Sequence, residues 1–103
     1  MRRFTTPTLS LVVEGVDITG MDVYVTISQG STELTVTNAP MEFDGEGTAI
    51  ALALTQEQTE RFRVGEAKVQ VNWVGGDGMR NATTIGRLQV DDNLLRRVVE
   101  HGG

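Results

Sequence analysis

Apolar and polar positions alternate along most of this chain with a period of two, the mark of half-buried strands. Leu9, Leu11 and Val13 alternate with Thr8, Ser10 and Val12 in a first strand. Val23, Val25 and Ile27 alternate with Tyr24, Thr26 and Ser28 in a second, which ends at Gly30-Ser31. Leu34 and Val36 supply the inward face of a third, over residues 32–38, so these two strands form a hairpin around Gly30. Ile50, Leu52 and Leu54 carry a fourth strand, interleaved with Ala49, Ala51 and Ala53. Neither face of that strand holds a charge, which places it centrally in a sheet or against another element. The clearest half-buried strand has Ala67, Val69, Val71 and Trp73 on one face and Lys68, Gln70 and Asn72 on the other. A sixth, over residues 82–90, presents Ile85, Leu88 and Val90.

The period changes once in this run, at Thr55-Gln56-Glu57-Gln58. Thr55 is a good helix N-cap, and Gln58 stands where a capping box needs its return bond. The spacing predicts a short crossover helix over about residues 55–63, with Phe62 as its anchor and Gly65 just beyond its end. Asn38-Ala39-Pro40, Asp44-Gly45-Glu46-Gly47 and Gly75-Gly76-Asp77-Gly78 punctuate the strands. Six strands with turn signals at short, even spacing predict an all-β antiparallel sandwich over residues 1–90. Its expected core is Leu11, Val25, Ile27, Leu52, Leu54, Phe62, Val69, Val71 and Ile85. Residues 91–103 form a tail in which Leu94/Val98 and Leu95/Val99 repeat at helical spacing, which suggests a short helix.

Composition narrows the picture. A chain of 103 residues is one domain, and its 39% hydrophobic and 22% charged residues are ordinary for a folded protein. With no cysteine it has neither disulfide nor thiolate, so the fold rests on packing alone. The net charge is −5, and the acids crowd the body of the chain while Arg2, Arg3, Arg96 and Arg97 sit near its ends. Such a field repels nucleic acid. The N-terminal Met1-Arg2-Arg3-Phe4 leads into polar threonines rather than the apolar run of a signal peptide, and no stretch is long enough to span a membrane. Synthesis and retention in the cytoplasm are expected.

Candidate chemistry is sparse. His101 is the one histidine, two residues from the end, where a triad or metal ligand would not be held rigidly. The Asp44 and Asp77 turns lack the alternating acids and the distant bidentate Glu of a helix–loop–helix calcium site. They also lack the following helix of a phosphate cradle. Asp91-Asp92 are neighbours that would face opposite ways on a strand. The expectation is no catalytic residue, no cofactor and no metal. Partner binding falls instead to Leu94, Leu95, Val98 and Val99, which form one apolar stripe if helical, and to Trp73, whose indole is either core or a contact surface.

Several segments in order carry a resemblance. They are Thr5-Thr6-Pro7-Thr8 after an arginine, Val23-Tyr24-Val25-Thr26-Ile27-Ser28-Gln29, and Leu54-Thr55-Gln56-Glu57-Gln58-Thr59-Glu60-Arg61-Phe62 before a glycine. Val69-Gln70-Val71-Asn72-Trp73 and a Gly-Asp-Gly turn follow. Over residues 2–90 the chain resembles small prophage tail-module proteins of Gram-positive bacteria. It is similar also to the immunoglobulin-like N-terminal domain of phage upper-baseplate proteins. In those relatives glycine usually follows the arginine, where Phe4 stands here. The resemblance implies a β-sandwich with a structural place in the virion tail, made in the bacterial host cytoplasm. It implies other tail or baseplate proteins, or further copies of itself, as partners, and no nucleic acid or membrane. The competing expectation is a small ligand- or glycan-binding module that uses Tyr24 or Trp73 as a stacking platform.

Overall fold

The computed structural model describes residues 1–3, 5–83 and 85–91. Eight strands and one helical turn follow in order: β1 (Thr8–Glu14), β2 (Asp22–Gln29), β3 (Thr32–Thr37), β4 (Met41–Phe43), β5 (Gly47–Ala53), α1 (Gln56–Glu60), β6 (Gly65–Val74), β7 (Arg80–Ala82) and β8 (Gly86–Val90). They build two antiparallel sheets. The smaller runs β1-β5-β4; the larger runs β3-β2-β6, with β7 and β8 both paired to β6. The uncharged strand of the sequence, β5, is central in its sheet as expected. Among the described residues this is the strand order of an immunoglobulin-like sandwich without the outermost first strand of its smaller sheet. Residues 1–3 run along the end of β8 instead, where Asp91 N–H donates to the Met1 carbonyl at 2.7 Å and Arg3 N–H to the Asp91 carbonyl at 2.9 Å.

The core follows the alternation. Val23, Val25 and Ile27 of β2 stand opposite Trp73, Val71 and Val69 of β6. Ile50 and Leu52 of β5 face them from the other sheet, with Leu54 and Phe62 closing one end. Leu11 and Val69 are half-buried and pack against this cluster. The β2–β3 hairpin turns on Gly30 and Ser31 alone, and Gly30 takes φ 58° at the first loop position, where a side chain would be strained.

Each end of the sandwich is closed by a buried threonine. Thr48 Oγ1 accepts from the Ile18 N–H at 3.1 Å and donates to the Val16 carbonyl at 2.8 Å, so the loop over residues 15–21 folds down and Ile18 is fully buried. At the opposite end Thr59 of α1 accepts from the Thr5 N–H at 3.1 Å and lies 3.0 Å from the Thr5 carbonyl, holding the N-terminal arm against the helix. Arg3 adds a bond from Nη2 to the Glu60 carbonyl at 3.0 Å, which covers an open carbonyl of the helix C-terminus.

Four expectations are corrected. The helix is one turn, Gln56–Glu60, rather than reaching residue 63, although the Thr55–Gln58 capping box is present in full. It stops because the Gln29 side chain takes both backbone groups of Arg63, at 2.6 and 2.8 Å, and draws the chain away from the helix. Residues 41–43 form a strand that the Pro40 break concealed. The strand expected over residues 82–90 is two strands, because Ala82 lies opposite Asn72 while Gly86 lies opposite Val69. The register against β6 therefore shifts by one between Ala82 and Gly86, as at a β-bulge. Ile85 was expected in the core and is 59% exposed: in the β8 register it falls opposite Gln70, whose side chain points outward.

Thr48→Val keeps the shape and deletes the hydroxyl, leaving the buried Ile18 N–H without a partner, and should cost about 1–3 kcal/mol in urea melts. Thr48→Ser should cost clearly less. Equal losses would show that the methyl group, and not the hydrogen bonds, holds this loop.

Candidate functional surfaces

The inward side chains of the strands make the core, so function falls to the outward ones, to the turns and to the strand edges. On the larger sheet the outward side chains form ordered rows. Thr37, Tyr24, Asn72 and Ala82 lie in one row across β3, β2, β6 and β7; Thr35, Thr26 and Gln70 lie in the next; Glu33, Ser28, Lys68 and Arg87 follow. A shallow groove of ≈ 400 Å³ opens in this face between Tyr24, Thr26, Thr35, Asn72, Val74 and Arg80. Arg80 Nε and Nη2 both donate to Asn72 Oδ1, at 3.3 and 3.2 Å, which fixes the guanidinium at the rim. Thr26 and Thr35 hydroxyls lie 3.1 Å apart across the floor. The surface offers one aromatic ring, several hydroxyls and one oriented cation.

The smaller sheet presents the opposite chemistry. Ser10 and Val12 of β1 lie beside Ala49 and Ala51 of β5, all outward, with Ala53 beyond. Val12 is 63% exposed. The charged residues of this face, Glu14 and Glu42, stand at its rim. A shallow depression of ≈ 240 Å³ runs between Ser10, Ala49, Ala51, Pro40 and Glu42. Alanine is a weaker strand former than β-branched or aromatic residues, so three of them on one exposed face add little side-chain stabilisation to the sheet.

Trp73 is placed by the structure on the inward face of β6, opposite Val23, half-buried against the core. Its indole packs against the core from that side. Tyr24, one residue along β2 from Val23, faces outward in its place. Leu94, Leu95, Val98, Val99 and His101 lie outside the described residues. Asn81-Ala82-Thr83, a glycosylation pattern in the sequence, serves the fold instead. Thr83 Oγ1 accepts from the Val71 N–H at 3.1 Å and Thr83 N–H donates to the Val71 carbonyl at 2.9 Å, which pins the bulge.

Both aspartate turns bind their own backbones. Asp77 Oδ1 accepts from the Met79 N–H at 2.9 Å. Asp44 Oδ1 accepts from Glu46 N–H at 2.8 Å and Gly47 N–H at 3.0 Å. Those two donors favour the carboxylate and hold the Asp44 carboxyl below the ordinary aspartate value. Among the described residues no three acids, histidines or cysteines gather as a metal site would require, and no helix is long and apolar enough to cross a membrane.

No family model, no curated protein and no solved structure matches the chain.

The Asp44 turn carries a pH dependence whose sign follows from its lowered value. A group with a depressed folded pKa stabilises fully above its unfolded pKa, and that contribution fades as pH falls through the folded one. In urea melts at stepped pH, wild type and Asp44→Asn should differ most near neutrality and converge in acid below the ordinary aspartate range. A constant difference across that range would show that the charge of Asp44 does not matter.

Proposed function

We propose that this chain is a non-enzymatic assembly module of a phage or prophage tail or baseplate, acting through protein–protein contacts. The observation that supports it is the outer face of the smaller sheet. A flat surface built from Ser10, Val12, Ala49, Ala51 and Ala53 has no side chain long enough to hold another protein away. An exposed apolar face of this kind marks an interaction surface. The order of its sequence segments, similar to that of prophage tail modules, gives the assembly its kind. An antibody against the protein should decorate tails in electron micrographs of particles released by the cells that encode it. Particles bearing no label, with the protein left in the soluble fraction, would overturn the proposal.

The groove beside Tyr24 supports a second reading, a saccharide-binding module. A tyrosine ring stacks on the apolar face of a sugar, while Arg80, Asn72 and the threonine hydroxyls match its polar rim. Saturation-transfer NMR against bacterial cell-wall saccharides should then give signals that vanish in Tyr24→Ala. Silence from the whole panel, or signals unchanged in that variant, would remove this reading.

A further inference from the structure

We propose that the open side of the sandwich beside β1 is a strand-acceptor groove. It takes an extended, uncharged arm of a partner protein with apolar side chains at alternate positions. The proposal rests on the assembly reading above and names the mode of contact.

The first argument is the backbone of β1. Leu54 N–H donates to the Pro7 carbonyl and Gly15 N–H to the Glu46 carbonyl, so the odd-numbered residues of this strand turn their backbone groups toward β5. In an antiparallel pair the even-numbered ones, Thr8, Ser10, Val12 and Glu14, turn theirs away. That row of N–H and carbonyl groups lies where the missing first strand of the sheet would be, and the hydrogen-bond pattern it presents is matched by an extended backbone.

The second argument is the treatment of the other edges. Arg61 Nη2 donates to the Glu33 carbonyl at 3.0 Å and blocks the free side of β3. The end of β8 is covered by residues 1–3, with the N-terminal ammonium on the Gln89 carbonyl at 2.7 Å. The register shift between Ala82 and Gly86 interrupts the rest of that edge, Arg87 charges it, and β4 has three residues only. These are the devices by which sheets avoid unwanted pairing. β1 has seven residues, a single charge at its far end and, among the described residues, none of those devices.

The third argument is the floor. Beside β1 a groove of ≈ 210 Å³ is lined by Leu11 and Val12 on one side and by Val69, Gln70, Val71, Thr83 and Gly86 on the other. Its apolar members are the open flank of the core, and Gly86 leaves room by lacking a side chain. Thr83 and Gly86 belong to the outer edge of the larger sheet, so that sheet continues beneath the space next to β1. The edge of another folded sandwich brings its own second layer and would meet this floor. A single arm would not, and its alternate apolar side chains would reach Leu11, Val69 and Val71.

The probe is a capped hexapeptide of alternating threonine and valine, together with two versions N-methylated on every second amide in the two opposite phases. In NMR titrations at millimolar peptide, the Ser10 and Val12 amides should gain protection from solvent exchange and the Val69 and Val71 methyls should shift. One methylated phase should bind and the other should not, since only one leaves the edge facing β1 intact. Gly86→Val fills the floor; its Cβ would meet Val69 Cγ1 at 3.4 Å, an ordinary contact, so the domain should fold. Val12→Pro removes an N–H that the β1–β5 ladder does not use. Both variants should melt near wild type and lose the peptide. No shift at Ser10 and Val12, equal binding of both methylated phases, or full binding by a folded variant would each overturn the groove. Those outcomes leave the labelling of tails untouched, whereas peptide binding by a protein absent from tails would sink the assembly reading alone.

Discussion

The pairing of β2 with β6 is the constraint on which the rest of this structure depends. Three inward pairs, Val23 with Trp73, Val25 with Val71 and Ile27 with Val69, make one wall of the core, and β5 supplies the other with Ile50 and Leu52. Burying a large apolar side chain stabilises by about 1.5–3 kcal/mol, and without a disulfide there is no covalent tie between the layers. A core this narrow loses most if water enters at its ends. The fully buried Ile18 and Phe62 sit at those two ends, and each is held there by a loop or turn tied through a threonine hydroxyl. A hydroxyl suits these positions because it satisfies backbone N–H and carbonyl groups where secondary structure has run out.

The parts of the fold legible in the sequence are those whose signal is local. The alternation in β2, β5 and β6 and the Thr55–Gln58 capping box each lie within a few residues, and each is found in place. Ile85 departs from its expected place although the sequence holds the warning: it stands three residues from Leu88, and positions three apart cannot share a face of one regular strand. The β8 register, with Gly86 opposite Val69 and Leu88 opposite Ala67, puts Leu88 on the inward face and Ile85 on the outward one. Ile18 stands among Gly15, Asp17, Thr19 and Gly20, so its surroundings read as a turn, and Thr48 reads as a polar strand position. Their bond joins residues 30 apart in the chain, and no local pattern announces it. The same holds for the candidate surfaces. That Tyr24, Asn72 and Arg80 carry polar side chains is plain from the sequence, but that they share one groove follows from the registers of β2, β6 and β7.

The two outer faces show how differently the same strand period can be used. On the larger sheet the outward positions hold Thr, Ser, Tyr, Gln, Asn, Lys and Arg, which cover the backbone and pair across strands as Thr26 does with Thr35. On the smaller sheet Ala49, Ala51 and Ala53 do neither. A β-branched or aromatic residue at any of them would stabilise the strand, so the small side chains are a local sacrifice of stability. Sacrifices of that kind concentrate where another surface must approach closely.

The position of the N-terminal arm links these features. Residues 1–3 close the larger sheet by pairing with Asp91, and Thr5 then crosses to α1 on the Thr59 hydroxyl before the chain enters β1. Had those residues doubled back beside β1 instead, the smaller sheet would have four strands and its edge would be sealed. The arm cannot do both, because the bonds to β8 and to Thr59 use the length of chain that such a return would need. Thr59 is buried for this purpose, donating and accepting on one residue of the arm. Residues 1–3 thus guard the end of the larger sheet, and among the described residues no segment pairs with the outer edge of β1. An incomplete edge over an apolar floor is a liability in a free domain and an asset in an assembled one.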